Sequence, residues 1–345
     1  MALVKCPECK HEVSSLAITC PNCGYPIKDR TQNDIHYNQN HANNVEEVDC
    51  GSSVYKLNHE NKEATLSKIR FTGFRNYTLG NTFLYDGEEY TITQIGEKCF
   101  KDCDFLEEIS IPTTVKSIGD EAFSGCNEII SIIVPDSVEI VGYAAFERCT
   151  KLERVVFGCK LKTIKNLAFS FCSNLKIVTF SKGVETICAN AFQSCTSLEN
   201  VVLPEGLTYL YGPVFSGCTK LKNISFPSTL KSIGQYCFSK CVSLKEIVVN
   251  DGLKEIKQGA FRDCELLERI ELPDTLEIID SQAFWQTYKL NEIKFKGTKQ
   301  QALDAFEAFS DYLVNDDVDY SDNPQKVYYY RNDTLKDVVV TVVCR

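Results

Sequence analysis

Glycine and proline are scarce in this sequence of 345 residues, which contains 18 glycines and 10 prolines. This scarcity excludes a collagen-like chain, and the hydrophobic content of 43% excludes a wholly disordered one. No uninterrupted apolar run approaches the roughly 18 residues that a membrane helix needs, so we expect no membrane insertion. The first residues also lack the apolar stretch of a secretory signal. We therefore expect a globular protein located in the cytoplasm.

Basic residues and histidines are also few. The 37 Lys and Arg residues are outnumbered by 47 Asp and Glu residues, which gives a formal net charge of -10. The chain as a whole therefore presents no basic surface to nucleic acid or anionic lipid. All four histidines precede residue 60, and the sequence has no G-x-G-x-x-G, P-loop, H-E-x-x-H or G-x-S-x-G motif. We therefore do not expect an enzyme.

What the sequence does have is an internal repeat of 23 residues. Phenylalanine recurs at this interval nine times, and a cysteine follows three residues after each of the first eight. The phenylalanines are Phe100, Phe123, Phe146, Phe169, Phe192, Phe215, Phe238, Phe261 and Phe284, and the cysteines are Cys103, Cys126, Cys149, Cys172, Cys195, Cys218, Cys241 and Cys264. One such unit cannot bury its own apolar face, so stacked copies are expected to form a continuous core.

Each unit predicts one strand and one turn of helix. The segment I-x-I, as in Ile109-Ser-Ile111, has a period of two and indicates a short strand with both apolar side chains inward. The segment A-F-x-x-C-x-x-L has a spacing of three and indicates a helical turn. The expected fold class is therefore an α/β repeat solenoid, rich in β structure, with one short strand and one helical turn per unit.

The repeat resembles the leucine-rich repeats of the BspA type, whose units read like L-x-x-I-x-I-P-x-x-V-x-x-I-G-x-x-A-F-x-x-C. The clearest copies are residues 106–126 and 221–241, and the resemblance covers residues 95–297. It implies a leucine-rich repeat fold and an association with protein binding, often in adhesion at cell surfaces. A cell-surface location is implied by the resemblance alone. Because the export signal of the surface members is missing, the expected location is the cytoplasm.

Two closely spaced pairs of cysteines stand at the N-terminus. Cys6 and Cys9 belong to C-P-E-C, and Cys20 and Cys23 belong to C-P-N-C-G after an interval of ten residues. Four thiolates fill every position of tetrahedral zinc, so we expect one structural Zn²⁺ and no open position for chemistry. Two disulfides or a redox pair are the alternative. The motif resembles the short zinc ribbons found at the start of many bacterial proteins.

These patterns divide the chain into five parts. They are a zinc ribbon at 1–27, a flexible linker at 28–49, a β-rich N-terminal cap at 50–94, the nine-unit solenoid at 95–297, and a C-terminal cap of a helix and strands at 298–345. Thr298 and Gln301 have the spacing of a capping box, which predicts that the helix of the last part begins there.

The repeated cysteines allow two interpretations. Stacked at a strand separation of about 5 Å, they are close enough for disulfides, but each has two equivalent neighbours and so no defined partner. Small buried thiols that fill the same pocket in every unit are the simpler interpretation. Outside the ribbon and the repeated series, no role is assigned to Cys50, Cys159, Cys188 and Cys344.

Stacked strands of this kind form a concave face from which alternate strand residues point outward. In the middle units these positions are partly apolar and have a polar rim, as in protein-binding surfaces. The candidate partner-binding residues are Ile133, Arg154, Val156, Ile177, Val202, Val248 and Arg269. The alternative is that β-branched residues stand there only because they favour strands.

The favoured interpretation is a non-enzymatic interaction module or scaffold, which recognises a protein partner through its concave face while the tethered zinc ribbon docks elsewhere. The alternative is a nucleic-acid-associated regulator that contacts its target through the ribbon. Residues 1–30 carry four basic residues against three acidic ones, which is little positive charge for phosphate binding. A thiol or zinc sensor is a third hypothesis.

Overall fold

The structure is a computed structural model of the chain. It describes residues 3–5, 12–14, 45–70, 75–280, 282–306, 326–329 and 338–343. The four predicted zinc ligands, residues 28–44 of the predicted linker and Cys344 lie outside the described residues.

The predicted zinc ribbon contains an antiparallel hairpin. Its strands are β1 (Leu3–Lys5) and β2 (Glu12–Ser14), with Leu3 opposite Ser14 and Lys5 opposite Glu12. The connection between the strands therefore consists of residues 6–11.

The N-terminal cap is built from six strands. They are β3 (Val45–Asp49), β4 (Ser53–Asn58), β5 (Glu63–Ile69), β6 (Asn76–Thr78), β7 (Thr82–Tyr85) and β8 (Glu88–Ile95). β3, β4 and β5 form an antiparallel meander, β5 pairs with β8 in parallel, and β7 pairs with β8 in an antiparallel sense. The predicted linker at 28–49 therefore ends earlier than expected. Val48 is buried opposite Tyr55, whereas Glu46 and Glu47 are exposed. A single buried residue gives this strand no apolar period in the sequence.

Each solenoid unit contributes a first strand, and these strands form the first strand row. They are β9 (Glu108–Ser110), β11 (Ser131–Val134), β13 (Arg154–Phe157), β15 (Ile177–Thr179), β17 (Asn200–Val202), β19 (Asn223–Ser225), β21 (Glu246–Val248), β23 (Arg269–Leu272) and β25 (Glu292–Lys296). Paired strands in this row are parallel and shifted by one repeat, so Ile133 lies opposite Val156. These strands correspond to the predicted I-x-I segments.

A second strand follows in eight units and was not predicted. The second strand row consists of β10 (Ser117–Ile118), β12 (Ile140–Val141), β14 (Thr163–Ile164), β16 (Thr186–Ile187), β18 (Tyr209–Leu210), β20 (Ser232–Ile233), β22 (Glu255–Ile256) and β24 (Ile278–Ile279). The row continues from β8 and forms one thirteen-stranded sheet with the cap. The expectation of one strand per unit is thus wrong, because two-residue strands are too short to show a period.

The predicted helical turn is also wrong, because the A-F-x-x-C segment forms successive tight turns that also hydrogen-bond to the next coil. Glu121 and Gly125, on either side of Phe123, have φ of 53° and 76°. Such left-handed residues interrupt an α-helix. Ser124 donates its N–H within the coil to the carbonyl of Glu121 (3.1 Å), whereas Phe123 donates to Ala145 of the next coil (2.7 Å). A spacing of three therefore comes from successive turns.

The core between the two strand rows consists of columns of identical side chains. The nine repeated phenylalanines stack with centroids 4.9 to 5.6 Å apart and ring planes within 9° of parallel. The eight repeated cysteines are buried and form no disulfide. Seven of them, from Cys126 to Cys264, donate their S–H group to the carbonyl oxygen of the phenylalanine 26 residues earlier, at 3.0 to 3.3 Å. The thiol column thus links successive coils.

The C-terminal end of the solenoid is followed by α1 (Lys299–Phe306), the one α-helix within the described residues. Its predicted capping box is confirmed, since Thr298 donates its N–H to Gln301 Oε1 (2.8 Å) and Gln301 donates its own to Thr298 Oγ1 (3.2 Å). α1 lies against β24, at the end of the second strand row. The first strand row is extended by β27 (Val338–Val343), which pairs with β25, and by β26 (Lys326–Tyr329), which pairs with β27.

Candidate partner-binding surface

Five apolar side chains point outward from the first strand row, and we call them the apolar strip. They are Ile133, Val156, Ile177, Val202 and Val248. Ile133 and Val202 are 70% and 67% exposed, Ile177 and Val248 are 50% and 43% exposed, and Val156 is half-buried. The neighbouring side chains Ile132, Val155 and Val201 are buried, because alternate residues of a strand point to opposite faces.

The strand register brings three members of the strip together, on β11, β13 and β15. Ile133 lies opposite Val156, which lies opposite Thr179, and Arg154 lies opposite Ile177. Opposite positions in neighbouring strands lie about 5 Å apart, so the apolar groups of β11, β13 and β15 form one patch. Val202 points outward from β17, opposite Ser225, and Val248 points outward from β21, opposite Glu271, in two other sheets of the first strand row.

Ile130 is a further exposed apolar residue next to β11 and was missed by the sequence analysis. Its side chain is 54% exposed, and it immediately precedes β11. The corresponding residues of other units are mostly charged, as in Glu107, Glu153, Lys176 and Glu199. An apolar residue at an otherwise charged repeat position is the signal that identifies it.

Ion pairs between neighbouring coils border the strip. Lys176 Nζ lies 2.8 Å from Glu153 Oε1, and Lys222 Nζ lies 2.8 Å from Glu199 Oε2. The Lys222 ammonium lowers the pKa of the Glu199 carboxyl through a hydrogen bond and through its charge. Exposed pairs of this kind add little to stability, so their main effect is to give the strip a polar rim.

The two arginines among the predicted binding residues differ in their surroundings. Arg269 Nε lies 2.9 Å from Glu292 Oε2, and Arg269 NH1 lies 3.8 Å from Glu246 Oε1. Arg154 is exposed and forms no ion pair with any residue that the structure describes. Arg269 is therefore held by its own chain, whereas the guanidinium of Arg154 is available to a ligand.

The repeated thiols are poor candidates for reactive groups. Burial raises the pKa of Cys103 to about 11 and the pKa of Cys218 to about 12. The nucleophile is the thiolate, which is rare at neutral pH when the pKa is raised. Of the four unassigned cysteines, Cys188 is buried, while Cys50 and Cys159 are exposed. The sensor hypothesis therefore gains no support from the repeats.

The N-terminal hairpin is compatible with the predicted zinc site. β1 ends at Lys5 and β2 begins at Glu12, so Cys6 and Cys9 stand in the sequence between two paired strands. With Cys20 and Cys23 the donor set is four thiolates, which suits tetrahedral zinc. Within the part of the chain that the structure describes, no cluster of three or more His, Cys, Asp or Glu residues is suited to a metal ion.

Comparison with protein families identifies the repeats. The family model of the BspA type leucine rich repeat region matches six copies in two overlapping ranges, 93–215 and 185–312, which together cover more than half of the chain. This chain belongs to the BspA-type leucine-rich repeat family. A zinc-ribbon domain matches residues 2–27 of this BspA-type protein. Both resemblances noted in the sequence are thereby confirmed.

Solved structures of bacterial repeat proteins resemble this BspA-type chain. A leucine-rich repeat protein from Bacteroides ovatus is 26% identical with a TM-score of 0.53, over 73% of this chain and 70% of the other. A leucine rich cell surface protein from Faecalibacterium prausnitzii is 22% identical with a TM-score of 0.34, over 75% of this chain and 97% of the other. The pneumococcal vaccine antigen PcpA is 16% identical with a TM-score of 0.35, over 76% of this chain and 96% of the other. The similarity to the first supports a shared leucine-rich repeat fold.

No curated protein matches the chain. Among the described residues, no helix combines the length and the hydrophobicity that crossing a membrane requires.

Proposed function

We propose that this BspA-type protein is a non-enzymatic interaction module that binds a protein partner through the apolar strip. The observation that carries the proposal is the exposure of Ile133, Ile177 and Val202 on one face of the first strand row. Covering such side chains removes apolar surface from water, which contributes about 25 cal/mol per Å². Membership in a family of repeat solenoids supports the same conclusion.

The strip lies on a backbone that is already ordered. β13 is paired on one side with β11 and on the other with β15. A partner therefore has no free backbone edge at this strand and must be recognised through side chains. Because these side chains are short and β-branched, binding immobilises few rotatable bonds and loses little conformational entropy.

We also propose that the zinc ribbon holds one Zn²⁺ through Cys6, Cys9, Cys20 and Cys23. With four thiolates the ion completes its shell and serves the ribbon's folding rather than catalysis. A cytoplasmic location is part of the proposal, although the family is often associated with cell surfaces. A reducing compartment keeps the S–H donors of the thiol column intact.

The proposal is tested by quantitative capture of partners from a native lysate with the intact chain and two triple variants. The strip variant carries Val156→Asp, Val202→Asp and Val248→Asp. The control carries Leu84→Asp, Ile140→Asp and Ile278→Asp, which place the same charges on exposed apolar residues outside the first strand row. Both variants are first checked for native thermal unfolding.

We expect the intact chain and the control to hold the same partner protein and the strip variant to lose it. Retention of that partner by the strip variant contradicts the proposal. Loss by the control as well shows that added charge alone disturbs binding, which also removes the support for the strip.

A further inference from the structure

We propose that the partner presents a carboxylate to Arg154, between aliphatic side chains that cover the apolar strip. The inference rests on the proposed function, because it concerns the same surface. It specifies the chemistry of the recognised segment as an Asp, a Glu or a C-terminal carboxylate flanked by residues such as Val, Ile or Leu.

Arg154 occupies the centre of the patch. It lies opposite Ser131 of β11 and Ile177 of β15, and Val156 follows it on the same face of β13. Ile133, which lies opposite Val156, is 70% exposed, and Ile177 is 50% exposed. The guanidinium therefore emerges from an aliphatic surface.

The chain itself supplies no counter-ion to this arginine among the described residues. The carboxylate next to it in sequence, Glu153, is bound to Lys176 Nζ at 2.8 Å. At the equivalent position of β23, Arg269 lies within 4 Å of both Glu246 and Glu292. The two positions share the same backbone setting and differ in the charge that the neighbouring coils provide.

Covering the strip makes an unpaired Arg154 unfavourable. A partner that buries the surrounding aliphatic groups also removes water from the guanidinium, and an uncompensated buried charge is costly. Guanidinium is weakly hydrated and its planar fork matches a carboxylate with two parallel hydrogen bonds. The partner that covers the strip therefore has to bring an anion to this point.

The surroundings favour a carboxylate over a phosphate. Phosphate groups carry up to two negative charges and are usually bound by clustered cations. The side chains opposite Arg154 are Ser131 and Ile177, and Lys176 is already paired. A single guanidinium in an aliphatic setting suits one isolated, singly charged group, whereas the row of phosphates in a nucleic-acid backbone requires several clustered cations.

The test is a selection of random peptides displayed on phage against the immobilised full-length protein, followed by affinity measurements on the best peptide. We expect the selected sequences to be enriched in Asp or Glu beside Val, Ile or Leu. Selection on Arg154→Gln is expected to lose the acidic enrichment and keep the aliphatic one. Arg148→Gln, at an exposed arginine of a turn outside the first strand row, is the control and is expected to select the same peptides as the intact chain.

Affinities then assign the contact. Replacing the acidic residue of the best peptide by its amide should weaken binding to the intact chain about tenfold to a hundredfold, as for a charge-assisted hydrogen bond. The same replacement should have no effect on binding to Arg154→Gln. Arg154→Lys, which keeps the charge without the fork, should fall between the two.

The other outcomes contradict the carboxylate inference, the proposed function, or both. Peptides without acidic enrichment, or equal peptide affinities for Arg154→Gln and the intact chain, contradict this inference. If the strip variant also binds the same peptides, the proposed function fails as well. If the strip variant loses them while Arg154→Gln does not, only the carboxylate inference fails. A selection that enriches nothing counts against both.

Discussion

At the scale of single residues, the backbone of each coil depends on left-handed positions that recur every 23 residues. One series includes Glu121, Ala144 and Leu167, with φ between 49° and 61°. In the unit of Phe215 the equivalent residue is Pro213, whose ring fixes φ at a negative value. Gly212 adopts the left-handed conformation instead, with φ of 72°. The chain thus keeps the turn by moving it one residue.

A second series of left-handed positions, one in each unit, includes Gly125, Arg148 and Gly217. It allows the cost of a side chain in this conformation to be tested. Gly217 has φ of 75°, and a Cβ atom built there would lie 3.1 Å from Ser194 Oγ. We expect Gly217→Ala to lower the free energy of unfolding by about 1 kcal/mol, because a side chain is unfavourable in this conformation. Urea unfolding followed by fluorescence measures the change.

Lys240 is the matched control, since it occupies the equivalent position one coil later with φ of 62°. Its side chain is exposed, so Lys240→Ala should leave the free energy of unfolding nearly unchanged. Equal effects of the two substitutions would show that the left-handed backbone is not what distinguishes Gly217.

At the scale of elements, a single unit shows only part of what stacking creates. The I-x-I strands could be predicted because they contain two inward residues, such as Ile109 and Ile111. Ser117–Ile118 has one buried residue, and its strand character comes from pairing with Ile140–Val141 and with β8. Pairing between units leaves no periodic pattern in the sequence of a single unit. Sequence reasoning therefore identifies the repeat and its first strand but not the second strand row.

The turn segment was misassigned for a related reason. Residues three apart lie on the same side both in a helical turn and in successive i to i−3 turns. The two arrangements differ in which carbonyl groups accept hydrogen bonds from alternate N–H groups. Here these carbonyls belong to the next coil. The capping box of α1 was predicted correctly because it depends only on Thr298 and Gln301, which are close in sequence.

The zinc ribbon is the element whose chemistry rests most on sequence. We expect elemental analysis of the purified chain to find one zinc per molecule. Cys9→Ser and Cys20→Ser should each abolish stoichiometric binding, because a missing thiolate opens the tetrahedral shell. Cys50→Ser, which removes an exposed thiol outside the ribbon, should keep the zinc. Full zinc content in the two ribbon variants would contradict the proposed ligand set.

At the scale of the whole molecule, the columns of phenylalanine and cysteine join the coils into one core. Seven of the eight repeated thiols contact the preceding coil through a hydrogen bond, so their protonation state is coupled to the packing of two coils. Burial raises the pKa of these thiols in the folded protein, to about 12 for Cys218, from the ordinary value of 9.0.

This shift predicts a loss of stability at alkaline pH. Because the pKa of each thiol is higher in the folded than in the unfolded protein, its contribution to stability is fully present below pH 9. The contribution is lost as the pH rises towards the folded-state pKa, since only the unfolded chain releases the proton in this range. Each such thiol makes the free energy of unfolding fall by roughly 1.4 kcal/mol per pH unit in that window. Urea unfolding at a series of pH values from neutral to pH 11 measures the slope.

Threonine provides a control that does not titrate, since Thr287 occupies the cysteine position of the last unit and is buried. The double variant Cys172→Thr and Cys195→Thr should therefore lose stability more slowly between pH 9 and 11. Its free energy of unfolding should fall with a slope about 3 kcal/mol per pH unit smaller than that of the intact chain. An unchanged slope would show that these thiols do not control the alkaline transition.

The candidate surface follows from the same architecture. Alternation along the strands identified Ile133, Ile177 and Val202 as outward from sequence. The register that places Ile133 opposite Val156 and Ile177 opposite Arg154 depends on stacking at the interval of one repeat. The difference between Arg154 and Arg269 could not be predicted, because it depends on which carboxylates neighbouring coils bring within reach.

The most direct test of the central claim is a methyl NMR titration of the full-length protein with the partner recovered by capture. We expect the methyl resonances of Ile133, Val156, Ile177, Val202 and Val248 to shift on binding. Those of Leu84, Ile140 and Ile278, which are also exposed but lie outside the first strand row, should stay in place. Shifts confined to the second group, with the strip unchanged, would contradict binding through the first strand row.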